Sequence, residues 1–212
     1  MTAITALTAQ NTQGVFGVHA VPPEFIADQI RLVLRDIGAD AVKLGMLHDA
    51  AVIDAVADAL VAEAPGVPLV LDPVMIAKGG EALLDPAASV TLKRRLPIIP
   101  EAEALSGLTI GDLDEMRHAA AMLLTLGVET VLLKGGHLEG DEVTDILATA
   151  DGLVEMTSPR IDTPHTHGTG CSLASAIATG LAQGLDLEAA VRRARAYVHE
   201  AILSAPGFGK GH

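Results

Sequence analysis

The stretch AVKLGMLHDAAVIDAVADALVAEAPGVPLVLDP, residues 41–73, decides the fold class. Ala41 to Met46 reads as a strand with a glycine, Gly45, near its end. Ala50 to Ala64 is Ala-rich, carries Asp49 near its start and reads as a helix. Val67 to Leu71 is a compact apolar run closed by Asp72-Pro73, hence a second strand. Two strands separated by a helix of this length need a crossover connection and therefore lie parallel. The same order returns further on. Leu113 to Leu126 reads as a helix ending at Gly127. Thr130 to Leu133 reads as a buried strand closed by Lys134-Gly135-Gly136. Right-handed crossovers then place helices on both faces of a mostly parallel sheet.

The later sequence departs from this alternation. Val143 to Leu147 and Leu153 to Met156 read as an antiparallel hairpin around Ala150-Asp151-Gly152, at a sheet edge. A polar loop, Arg160 to Thr169, leads into a small-residue helix from Gly170 to Gly184. Leu187 to Ala205 forms the last, amphipathic helix. No repeat and no low-complexity linker divides the chain, so one α/β domain over residues 1–212 is expected.

Composition agrees. Of 212 residues, 50% are hydrophobic but only 2% aromatic, with no Trp, so the core is built from Ala, Val, Leu and Ile. That suits buried strands under Ala- and Leu-rich helices. A net charge of −13 disfavours a general nucleic-acid binder, which needs a basic patch. No apolar run approaches the roughly 18–20 residues of a membrane span. The single cysteine, Cys171, allows no internal disulfide and fits a cytoplasmic location.

Ligands of open α/β sheets bind beyond the carboxyl ends of the strands. His167-Gly168-Thr169-Gly170-Cys171-Ser172 opens a helix with glycines, where unsatisfied N–H groups and the helix dipole favour an anion. The segment also reads as a loop feeding a tightly packed helix. Cys171 offers two roles there, a base toward a hydroxyl or an anion-hole N–H. Lys134 follows a strand and suits a nucleotide phosphate, although Walker A spacing is absent. Asp72 and Glu101 are candidate Mg²⁺ acids, with turn or helix-start roles as the plainer reading. His-Glu-x-x-His spacing is absent, which disfavours a zinc hydrolase.

Five motifs occur together and in order: Thr5 to Thr12, Lys43-Leu44-Gly45-Met46-Leu47, Leu71 to Met75, Lys134-Gly135-Gly136-His137 and His165 to Cys171. With the closing Gly207 to His212, they resemble the hydroxymethylpyrimidine/phosphomethylpyrimidine kinase family of thiamine biosynthesis over essentially the whole chain. The resemblance implies a ribokinase-like three-layer fold. It implies ATP- and Mg²⁺-dependent phosphorylation of 4-amino-5-hydroxymethyl-2-methylpyrimidine phosphate, and of the free alcohol. By position, Gln10 resembles the pyrimidine-reading residue, and Met46 and Val74 the apolar pocket walls. Lys134 resembles the ATP-phosphate lysine, and Asp72 and Glu101 the Mg²⁺-linked acids. Gly168, Thr169, Gly170 and Cys171 resemble the catalytic anion hole. A homodimer is implied too.

The family's opening strand and glycine-rich segment are expected to have no counterpart before Met1. Its strand and Thr-Pro-Asn before Pro100-Glu101-Ala102-Glu103 find no room either. The competing expectations are a pyridoxal or pyridoxine kinase of the same fold, and a non-catalytic nucleotide- or pyrimidine-binding protein.

Overall fold

An aspartate fixes where the central helix of the decisive stretch begins. Asp49 is extended, and its carboxylate accepts the Val52 N–H at 2.9 Å. Such a cap satisfies one of the orphan donors of a helix start and is worth about 1 kcal/mol. The computed structural model describes residues 1–74, 83–85, 88–95, 110–125 and 127–211. They divide into two compact units, one of residues 1–96 with 163–212, the other of residues 97–162.

In the first unit, β1 (Ala6–Asn11) and β2 (Gly14–Ala20) form an antiparallel hairpin. The Asn11 side chain accepts the Gln13 N–H at 2.8 Å and so shapes the turn. Helix α1 (Pro23–Asp36) starts at a proline, which suits a first helical position because its missing N–H would be an orphan anyway. Strand β3 (Val42–Leu44), helix α2 (Ala50–Glu63) and strand β4 (Leu69–Leu71) give the expected crossover. β3 and β4 pair in parallel, with Val42 opposite Leu69 and Leu44 opposite Leu71. Helix α3 (Ala88–Arg95) buries Ala88 and Leu92 and packs on α2.

α1 buries Ile26, Ala27 and Ile30, and α2 buries Val52, Ile53 and Val56 where the two pack. Each of these isoleucine and valine side chains removed from water contributes about 1.5–3 kcal/mol. Arg35 joins the ends of the pair, donating to both carboxylate oxygens of Glu63 at 2.9 and 2.5 Å. Helices α5 (Thr169–Ala182) and α6 (Leu187–Leu203) complete the unit. Asp186 caps α6 by accepting the Ala189 N–H at 2.8 Å. α5 packs against both β3 and β4. Beyond α6, the N–H groups of Lys210 and Gly211 both donate to the Thr12 hydroxyl, each at 3.2 Å, which ties the tail to the β1–β2 turn.

Among the described residues, the second unit holds one helix and one sheet. Helix α4 (Leu113–Leu124) is capped by Asp112, whose carboxylate accepts the Glu115 N–H at 2.8 Å. Strands β5 (Thr130–Leu133), β6 (Glu142–Thr149) and β7 (Gly152–Pro159) pair antiparallel in that order. Met116, Ala119, Ala120 and Leu123 of α4 form a core with Val131, Leu133, Ile146 and Ala148 of the sheet.

The expected β6–β7 hairpin is present, with β7 at the edge. α4 stops at Leu124, two residues before the sequence reading placed its end, and Gly127 takes a left-handed φ of 91° beyond it. Among the described residues the expected parallel pairing is seen once, in β3–β4, and the other strand pairs are antiparallel. β5 and β6 are joined by a short turn without a crossover helix, and such a connection permits only antiparallel pairing.

Candidate functional site

The carboxyl ends of β3 and β4 lie side by side because the two strands run parallel. Beyond β3 come Gly45, Met46 and Leu47; beyond β4 come Asp72, Pro73 and Val74. The Asp72 N–H donates to the Leu44 carbonyl at 3.0 Å, so the ladder extends to the first residue past β4. The Val74 N–H then donates to the Asp72 carbonyl at 2.9 Å and turns the chain. Asp72 is half-buried. The Thr5 hydroxyl donates to the Met46 carbonyl at 2.6 Å, which fastens the chain just before β1 to the loop after β3.

Val74 lines a shallow apolar hollow of about 170 Å³, open space at its mouth included, together with Gly45, Leu47, Pro73, Leu84 and Leu92. Met46 sits between two of these lining residues but is not one of them. Gln10 is exposed on β1, next to a register shift between Ala9 and Gln10. The extra residue is Phe16 of β2, which falls between the pairs Ala9–Gly17 and Gln10–Val15, so the irregularity lies on the strand facing Gln10.

The start of α5 differs in construction from those of α2, α4 and α6. Those three begin at capping aspartates, whereas α5 begins at Gly168, in a left-handed conformation (φ 76°), with no side-chain cap. A carboxylate at this helix start would occupy the place an incoming anion needs; glycine leaves it open and carries no Cβ penalty. The Thr169 hydroxyl is turned back onto the Thr166 carbonyl at 3.0 Å, and Cys171 is exposed.

Lys134 belongs to the second unit. It is exposed and extended, immediately after β5, and precedes a single 3₁₀ turn over Gly135–His137. Gly135 is obligatory there, because a Cβ at this position would collide with the Thr144 carbonyl of β6. Glu101 and Met75 lie outside the described residues. Among the described residues no group of three His, Cys, Asp or Glu side chains is placed to hold a metal. None of the described helices is long and apolar enough to cross a membrane.

The sequence reading missed the Thr5–Met46 bond, the bulge beside Gln10 and the Gly135–Thr144 contact. The Gly135 contact had a signal, since paired glycines after a buried strand mark a close backbone approach. The others depend on pairings between distant segments, for which the sequence carries no local sign.

The family model described as phosphomethylpyrimidine kinase matches residues 1–212. The thiamine biosynthesis bifunctional protein ThiED of Geobacter sulfurreducens is 50% identical over 99% of this chain and 44% of its own length. The chain thus spans less than half of that relative. The hydroxymethylpyrimidine/phosphomethylpyrimidine kinase of Bacillus subtilis is 43% identical over 100% of this chain and 81% of its own. Among solved structures, the phosphomethylpyrimidine kinase of Clostridium difficile superposes with a TM-score of 0.80 at 37% identity, covering 95% of this chain and 86% of that one. An ADP complex of Bacillus subtilis pyridoxal kinase gives 0.85 at 30% identity, covering 95% and 80%. The fold is accordingly the α/β, ribokinase-like fold of these kinases.

Proposed function

Because the chain belongs to the phosphomethylpyrimidine kinase family, we propose that it transfers the γ-phosphoryl group of ATP to 4-amino-5-hydroxymethyl-2-methylpyrimidine phosphate and to the free alcohol. The carrying observation is the family match over residues 1–212, which takes in the open, glycine-started α5. ATP as the donor is supported by the ADP held in the related pyridoxal kinase. Both units belong to one kinase domain in this reading, since the matched family model runs through both.

Phosphoryl transfer asks little covalent chemistry of a protein; it needs positioning and charge stabilisation. The N–H groups of Gly168, Thr169, Gly170 and Cys171 supply partial positive charge to the transferring group. Cys171 serves by its backbone N–H in this reading, and a base role for its thiol is the alternative that Cys171→Ala tests. Gln10 reads the aminopyrimidine edge, because an amide offers one donor and one acceptor face to it. Met46 and Val74 flank the ring, and Lys134 binds an ATP phosphate. Asp72 is a hard oxygen donor at a strand end and fits Mg²⁺, which takes one or two carboxylates beside substrate phosphates. Glu101 joins it in this assignment. Bound there, the ion would neutralise phosphate charge. A cytoplasmic homodimer completes the reading, and light scattering would check the assembly.

The test is ADP release with the pyrimidine phosphate, with the diphosphate product identified by mass. Pyridoxal as a competing substrate separates the related activity. Gln10→Glu replaces a donor-and-acceptor amide with an acceptor-only carboxylate. It should raise KM for the pyrimidine roughly 10- to 100-fold and leave KM for ATP unchanged. Nucleotide binding without turnover by the wild-type chain would establish the non-catalytic alternative instead.

A further inference from the structure

The turn that carries Lys134 is held from two sides, and both holds lie within the second unit. On the interior side, Asp145 of β6 is only 7% exposed, and its carboxylate accepts the Gly135 N–H at 2.9 Å. That N–H belongs to the peptide immediately after Lys134. The bond therefore fixes the plane that sets the direction of the Lys134 side chain.

On the exterior side stands Arg160. Its Nε donates to the Gly140 carbonyl at 2.6 Å and its Nη1 to the Gly136 carbonyl at 2.9 Å, while its Nη2 donates to the Leu138 carbonyl. Three alternate carbonyls of one turn thus converge on one guanidinium. Arg160 is itself anchored, since its N–H donates to the Asp141 carbonyl at 2.8 Å just past the β6–β7 ladder. Only the rigid, five-donor fork of arginine can serve three acceptors in this way; a lysine ammonium is a point charge without that shape.

We propose that Arg160 and Asp145 are positioning residues that hold the Lys134-Gly135-Gly136 turn in the shape that binds the ATP phosphates. This rests on the kinase reading above. Neither residue needs to touch ATP. The turn would otherwise be a glycine-rich surface loop, and ordering it only on binding would weaken affinity.

Steady-state kinetics and hydrogen exchange on the same proteins test this. Arg160→Ala and Arg160→Lys should both raise KM for ATP on the order of 10- to 100-fold, the scale of a small misplacement of a binding group. KM for the pyrimidine should stay within about twofold, as expected for a loss confined to the ATP side. Asp145→Ala should act likewise, and Asp145→Asn should recover most of the loss because its carbonyl still accepts the Gly135 N–H. The double variant Lys134→Ala/Arg160→Ala should be no worse than Lys134→Ala alone. Amide exchange of residues 135–140 should quicken in Arg160→Lys, a readout independent of turnover. Full ATP affinity in Arg160→Lys would overturn the clamp and make Arg160 a charge only. Additive effects in the double variant, or unchanged exchange, would overturn it as well. If wild type bound no ATP while exchange quickened in Arg160→Lys, the kinase reading would fall, and with it the role in ATP binding.

Discussion

Gly180 on α5 faces Ala190 on α6 so closely that a Cβ built on the glycine would lie 2.8 Å from the Ala190 Cβ and 3.1 Å from its Cα. Gly180 is buried and Ala190 is fully buried. Two effects oppose each other in Gly180→Ala. Helix propensity favours alanine by about 1 kcal/mol. Overpacking against a backbone atom costs about 1–3 kcal/mol, because neither helix can give way without moving its neighbours. Packing wins at this spacing. Gly180→Ala should lower unfolding stability by up to about 2 kcal/mol in urea titrations, and a rise would show that the helices separate easily.

A pH effect follows from Arg117. Its guanidinium spans α4 and β7, donating to both Glu155 oxygens at 2.6 and 3.0 Å and to Asp114 at 2.5 Å. The hydrogen bonds from Arg117 hold the Glu155 carboxyl below the usual range, and the nearby positive charge adds to this. A carboxylate with a depressed folded pKa contributes stability above its unfolded pKa, near 4.3, and loses it as pH falls through the folded value. Wild type should therefore exceed Arg117→Gln in stability at pH 7, with the gap closing as pH drops below about 4. Added salt should shrink the gap too, because the pair is partly exposed. A gap that is constant with pH would show that Arg117 contributes by packing alone.

The crossover β3–α2–β4 was legible because each signal in it is local: an apolar run, an Asp cap and a helical length between strands. α5, α6 and the β6–β7 hairpin were legible for the same reason. The β1–β2 hairpin was not. Its strands are mostly exposed, Phe16 at 71% and Leu7 at 54%, so they lack the alternation by which a half-buried strand is recognised. α1 was missed although its signals exist, with Pro22-Pro23 at the start and Ile26, Ala27 and Ile30 at helical spacing. Of the candidate residues, the sequence marked Gly168 to Cys171 and Lys134 through their glycines. It gave no sign of Arg160, because a residue 24 positions from Gly136 is joined to it only by the antiparallel return of β6 and β7.

His48, two residues past Met46, carries a conformational cost. It is the non-glycine residue with a left-handed backbone among those described, at φ 53°. Its Nδ1 is buried and finds no hydrogen-bond partner among the described residues. An unpaired buried nitrogen costs about 1–3 kcal/mol. Glycine adopts the left-handed region without penalty and places no polar side-chain atom there. His48→Gly should raise stability by about 1 kcal/mol. His48→Val, β-branched at the same φ, should lower it by about 1–2 kcal/mol. Thermal unfolding of the two variants checks this. Equal effects from both would mean that the backbone relaxes out of the left-handed region.

The opening of α5 gives the most direct test of chemistry. Gly168 at φ 76° sets the direction of the N–H groups that follow. Alanine there meets a left-handed penalty of about 1–2 kcal/mol and pushes the chain toward a different entry angle. Misdirecting one donor of an anion hole typically costs 10²- to 10³-fold in kcat. Gly168→Ala should therefore lose roughly 10²-fold in kcat, with KM for the pyrimidine changed by less than about threefold. Cys171→Ala keeps the backbone N–H and removes only the thiol. It should retain more than about a tenth of wild-type kcat, since removal of a true general base costs 10²- to 10⁴-fold. Urea unfolding midpoints and slopes of both variants check that the packing is intact. The opposite pattern, a nearly full kcat in Gly168→Ala and a loss near 10³-fold in Cys171→Ala, would move the catalytic burden from the backbone donors to the thiol.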